Sequence, residues 1–214
     1  LALDVGRLAD IPGVLEQLQS GSSRRLTTTS RCLIEAYSAI ADVHRGDSES
    51  ARLRVGRVRR LLGDIDSCSD AAVFAVNALA SVEGQGRGYW TSAASLLSSV
   101  ADRPDLSPTQ RLLMKSNLAS GLCEIGQLAD ALALVDSVLP EMECSGLGLL
   151  RGYALGTRAC IARALGDDKA AQSDHSASES VLRTHQDTLG LATCWCYASL
   201  AARAEGEDEV GLAH

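Results

Sequence analysis

Six glycines, Gly6, Gly46, Gly86, Gly126, Gly166 and Gly206, stand 40 residues apart along a chain of 214. The chain holds 19 glycines, so one such pair would be uninformative, but six in one phase mark an internal repeat. Other columns keep the same phase. The residue after each glycine is polar: Arg7, Asp47, Arg87, Gln127, Asp167 and Glu207. Five residues after it stand Ile11, Ala51, Thr91, Ala131, Ala171 and Gly211, mostly small, and seven before it Ala39, Leu79, Ala119, Ala159 and Ser199. A chain built this way is a stack of similar units, each of which buries its apolar surface only against its neighbours.

Each unit reads as two helices. Upstream of the glycines lie apolar-rich stretches of helical length, Leu26 to Arg45, Ser67 to Val82, Ser107 to Ile125, Leu147 to Leu165 and Thr188 to Glu205. Downstream lies a more amphipathic segment, clearest in QLADALALVDSVLPEM, where Leu128, Ala131, Leu132, Leu134, Val135, Val138 and Leu139 recur at helical spacing. The glycine suits a helix C-terminus that needs φ > 0, and the polar residue after it suits the start of the next helix. Ser107-Pro108 predicts a capped helix start with proline in the first turn. The expected fold is therefore all-α, a superhelical stack of about five antiparallel helix hairpins. The expected units are about 26–65, 66–105, 106–145, 146–185 and 186–214 of one repeat array, after a partial unit over 1–25. Leu1 to Val5 is only a stub of a helix, and Pro12-Gly13 disturbs the next one. The chain opens on Leu1 and stops short after Gly206, so a fragment of a longer protein is expected, with self-association through the cut ends as a further expectation.

Composition agrees. Aromatics are 3% and prolines number four, which argues against a β-sandwich and leaves helices unbroken. Hydrophobic residues at 46% exclude a disordered chain. The longest run without a charge, Thr188 to Ala202, is 15 residues, too short for a membrane span. A net charge of −7 is the wrong sign for a surface that grips phosphate backbones. Seven cysteines with no CxxC pair read as buried thiols in a reducing cytoplasm. Arginine dominates the cations, with Lys115 and Lys169 the only lysines, which hints at a bacterial source.

A small residue in the first helix, glycine with a polar neighbour in the turn, and alanine five residues on resembles the tetratricopeptide pattern. ALGDDKAA, EIGQLADALAL and HRGDSESA match it best, and Trp195, eleven residues before Gly206, falls where that pattern favours a large aromatic. The period is 40 rather than the usual 34, and the large residues of each unit are mostly Ala, Ser or Val. In this the chain is similar to long-period arrays of bacterial regulators of the maltose-regulator and LuxR types. EIGQLADALALVDSVLPEMECSG and GYALGTRACIARALGDDKAA carry that likeness. The resemblance implies a non-catalytic segment of a transcriptional regulator that senses an effector or protein partner. DNA contact would come only through domains outside the chain. The alternative is a stand-alone scaffold that binds a peptide or partner protein.

Chemical motifs are sparse. Gly84, Gly86 and Gly88 in EGQGRGYW lack the lysine and preceding strand of a phosphate-binding loop and read as a flexible turn. Asp64, Asp66 and Asp70 lack the glycine and bidentate glutamate of a calcium loop. Cys194 and Cys196, two apart on a helix, point to different faces, and His175 and His185 read as surface residues. No catalytic residue, cofactor or metal is expected, and a helical enzyme is the last of the three readings.

Two constellations remain. Nine residues before each glycine stand Tyr37, Asn77, Asn117, Thr157 and Tyr197, a column of hydrogen-bonding side chains; six before stand Ile40, Ala80, Ser120, Cys160 and Leu200. The column either faces a groove and contacts a partner segment or small effector, or satisfies polar groups between helices. In ARLRVGRVRRLL, Arg52, Arg59 and Arg60 fall near one side of a helix. They form either a docking patch for an acidic partner or a solvated face paired with acids such as Glu49 or Asp64.

Overall fold

The structure, a computed structural model, describes residues 27–65 and 69–204. The expectations placed on Gly6, Pro12-Gly13, Gly206 and the two chain ends lie outside these residues. Among the described residues the protein is all helical: α1 (Thr28–His44), α2 (Ser48–Leu62), α3 (Asp70–Ser81), α4 (Trp90–Ala101), α5 (Pro108–Glu124), α6 (Leu128–Cys144), α7 (Gly148–Ala164), α8 (Asp168–Thr184) and α9 (Thr188–Ala204). A π-helical turn, Val82–Gly86, extends α3.

Side-chain caps start most of these helices. The Thr27 hydroxyl accepts from the Ser30 amide, and the Asp47 and Asp167 carboxylates accept from Ser50 and Ala170, each satisfying a first-turn donor that the helix leaves unpaired. At Ser107 the capping box is complete. Its amide donates to Gln110 Oε1 at 2.8 Å, its hydroxyl accepts from the Gln110 amide, and Pro108 follows in the first turn, as the sequence predicts.

The 40-residue sequence repeat resolves into a 20-residue backbone repeat. Helices α5 to α9 are each 17 residues long, and three-residue turns separate them; α1 and α2 are joined in the same way. Gly46, Gly126 and Gly166 take positive φ in these turns, and so do Gly146 and Gln186 at the intervening ones. The amides of Asp47, Leu147, Asp167 and Asp187 close the same six-residue loop onto Asp42, Met142, Ala162 and Leu182. Gly86 departs from the expectation. The π turn carries the chain past it, and Gly88 supplies the positive φ two residues later. The reason is packing: a Cβ on Gly84 would lie 2.4 Å from the Trp90 ring, and one on Gly86 would lie 2.6 Å from Val43. This segment is thus a packed turn rather than a flexible one.

The chain divides into two compact units at Ile125/Gly126. In the first, α1 packs on α2 and α3, and α4 packs on α5. Its main apolar cluster joins Cys32, Ala36 and Ala39 of α1, Ala51, Val55 and Val58 of α2, and Ala75, Ala78 and Leu79 of α3. In the second, α7 packs on α6 and α8, and α8 packs on α9. The α7–α8 pair meets through glycines. Side-chain atoms of His185, Val181 and Ser178 come within 2.5, 3.0 and 3.3 Å of where Cβ atoms would stand on Gly148, Gly152 and Gly156, and Ser178 Oγ donates to the Gly152 carbonyl at 2.8 Å. Small residues let the backbones close in, and dispersion over the whole contact replaces the energy that larger side chains would supply.

Candidate functional site

The first unit holds an open cleft of about 50 Å³, built from successive repeats. Asn117, Ser120 and Gly121 of α5 line one side, Ala80 and Ser81 of α3 the other, with Gln85 from the π turn and Trp90, Ala93 and Leu97 from the α4 helix. Ala80 and Ser120 stand at one position of the repeat, Ser81 and Gly121 at the next, so α3 and α5 present the same register to the cleft. Among the described residues, none that lines it is charged.

The polar column meets here in part. Asn117 Nδ2 donates to Asn77 Oδ1 at 2.7 Å, linking two column residues across neighbouring repeats. Tyr37, on α1, is half-buried, and burial pushes its phenol up to about 12. In the other unit Thr157 turns back on its own helix and donates to the Tyr153 carbonyl at 3.3 Å. The Tyr197 side chain lies outside the described residues. Trp90, Gln85 and Leu97 were missed by the sequence reading. The single visible signal was a tryptophan in a chain of only two.

The arginines of α2 are distributed differently from the expectation. Glu49 and Asp64 are not their partners; acids of other helices are. Arg54 reaches Asp42 at 2.7 Å and Glu35 at 3.0 Å, and Arg57 also reaches Glu35. Arg59 pairs at 2.9 Å with Glu83, which is only 2% exposed and also bound by Arg87. The reason is geometric: α2 lies against α1 and α3, so their carboxylates are nearer to its arginine tips than acids on its own ends. Arg52 and Arg60 form no ion pair among the described residues, and Arg60 Nε donates to the Gly56 carbonyl.

The second unit carries three buried polar constellations that the repeat pattern did not announce. Arg158 grips the buried Asp174 through two hydrogen bonds of 2.6 and 2.7 Å and reaches Asp136 with a third; Asp174 holds its guanidinium well above the usual range. Tyr153 donates to Asp187 at 2.6 Å, and burial together with this carboxylate raises its phenol. Cys194 lies 3.3 Å from His175 Nδ1, so His175 is half-buried rather than a surface residue, while Cys196 points away, exposed. Burial raises the Cys194 thiol, which keeps it protonated and a poor nucleophile. Among the described residues no group of three or more His, Cys, Asp or Glu could hold a metal ion, and no helix is long and apolar enough to cross a membrane.

No family model and no curated protein matches this chain. Among solved structures it is similar to the Q17M variant of the nearly identical TPR-like repeats of a putative kinesin light chain from Podosopora anserina. That match has 18% identity and a TM-score of 0.55, and covers 84% of this chain and 86% of the other. The likeness shows the fold: an all-α repeat of tetratricopeptide type.

Proposed function

We propose that the chain is a non-catalytic scaffold whose first unit binds an extended segment of a partner protein in the cleft beside Asn117. One observation carries this reading: equivalent positions of two successive repeats, Ala80 with Ser120 and Ser81 with Gly121, converge on one cleft with a column residue at its edge. Repetition of register is what an extended chain reads, because its own residues repeat at a fixed rise. The Asn77–Asn117 bond uses one hydrogen of the Asn117 amide and leaves its Oδ1, on the residue that lines the cleft, to accept from a peptide N–H. An uncharged lining favours a neutral segment, since a charged side chain would lose water there without a counter-charge.

Selection of binders from a displayed library of unstructured peptides against the 214-residue chain tests this. Peptides should emerge whose affinity falls about tenfold or more when Trp90→Ala or Ser120→Trp alters the cleft, in protein that still unfolds cooperatively. Binding indifferent to both substitutions sinks the reading, as does Asn77→Ala/Asn117→Ala protein that is destabilised yet binds unchanged.

The finer setting we propose, a sensing segment of a LuxR-type bacterial regulator, is supported by the sequence resemblance alone. The parent reading frame tests it. A helix-turn-helix and a P-loop coded around this segment support the regulator; their absence from the frame favours the scaffold.

A further inference from the structure

A second surface lies on α2, independent of the cleft. The helix buries Ala51, Val55 and Val58, and Gly56 lies exposed away from that face. Among the described residues nothing comes within 4 Å of where a Cβ on Gly56 would stand. A glycine in mid-helix costs about 1 kcal/mol against alanine, and here no packing inside the described chain compensates for it. The mid-helix glycines Gly152 and Gly156 of α7 show how this protein uses such positions, because side chains of α8 occupy both notches. The notch at Gly56 is open.

Its rim has a definite chemistry. On a helix the neighbours of residue 56 are those three and four positions away, here Arg52, Leu53, Arg59 and Arg60, all exposed. Leu53, at 48% exposure, is one of three large hydrophobics so exposed among the described residues. Arg52 and Arg60 have no carboxylate partner among the described residues, and Arg59 commits one nitrogen to Glu83. Glu49 sits two turns before Gly56 on the same side.

We propose that this side of α2 docks an acidic helix of a partner protein. The partner's backbone approaches over Gly56, an apolar side chain covers Leu53, and carboxylates meet Arg52 and Arg60. Charge complementarity selects the acidic partner, and the notch selects a helix, whose ridge fills the gap a missing side chain leaves. Nucleic acid fits poorly: the chain carries −7, and the patch has an apolar centre with a carboxylate at one end.

The probe is a synthetic helix-forming peptide with glutamates along one side and leucines beside them, followed by fluorescence anisotropy on the whole 214-residue chain. Saturable binding is expected, about tenfold weaker or more for the Arg52→Glu/Arg60→Glu chain and for a peptide with glutamine in place of glutamate. Gly56→Leu should abolish binding while thermal unfolding stays cooperative, and Trp90→Ala in the cleft should leave it unchanged. Three outcomes overturn the proposal: no saturable binding, undiminished binding by the Gly56→Leu chain, or displacement of the peptide by duplex DNA or anionic vesicles at equal charge.

Discussion

Asn117 donates from Nδ2 to Asn77 Oδ1 across 2.7 Å, joining residues that stand 40 positions apart in the chain and at the same point of successive repeats. The bond lies at the edge of the α3–α5 cleft and couples the stability of this region to the geometry of its polar side. Asn77→Ala and Asn117→Ala should each lower stability by about 1 kcal/mol, with a coupling energy of about 0.5–1 kcal/mol in the double-mutant cycle. Urea denaturation of the four proteins measures it. Additive effects would mean that the two amides do not act as a pair.

Glycine substitutions should change sign with position. Gly56→Ala gains helix propensity with nothing to displace, so stability rises by about 0.5–1 kcal/mol. Gly84→Ala forces its methyl to within 2.4 Å of the Trp90 ring, and repacking costs about 1–3 kcal/mol. Thermal unfolding of both variants decides, and parallel shifts would contradict the packed turn.

Arg158 and Arg52 are both arginines on helices, yet their removal should differ. Arg158→Met leaves the buried Asp174 without its two-pronged partner and should cost about 1–3 kcal/mol. Arg158→Lys should recover only part of this, because an ammonium cannot match both oxygens. Arg52→Met, on a side chain without an ion pair among the described residues, should stay within about 0.5 kcal/mol of the parent in chemical denaturation.

Stability should fall with acid in part through the α2 cap. The Ser50 amide, with its hydroxyl, holds the Asp47 carboxyl below its usual value. A carboxyl depressed in the folded state stabilises fully above its unfolded value near 3.8, and that stabilisation is lost as pH falls through the lower folded value. Arg183 holds Glu179 down in the same direction. Melting temperature should therefore drop from about pH 5 to about pH 3, less steeply for Asp47→Asn, which has no charge to lose. Equal slopes for the two proteins would remove Asp47 from the account.

Much of the helical layout was legible because its signals are local. Capping at Ser107 and Asp167 and positive φ at Gly46, Gly126 and Gly166 depend on residues within one helical turn of each other, so spacing alone announced them. Gly86 was misread because its conformation answers to Val43, more than 40 residues away, and to Trp90 folding back onto Gly84. The acids that pair with Arg54, Arg57 and Arg59 escaped the sequence for a related reason. Charge patterning along α2 pointed to its own ends, whereas long guanidinium stems reach the carboxylates of whichever helices lie alongside.

The sequence by itself determined the repeat, the helices and most of the turns, since hydrophobic period, capping chemistry and chirality act over a few residues. Only the tertiary structure decided what equal positions of the repeat would do. Asn77 and Asn117 meet at a cleft, while Thr157, at the same position, bonds back to Tyr153 of its own helix. A hydrogen bond forms or fails over a few tenths of an ångström. Offsets that small between neighbouring helices are set by the particular side chains packed between them, and a periodic pattern averages them away.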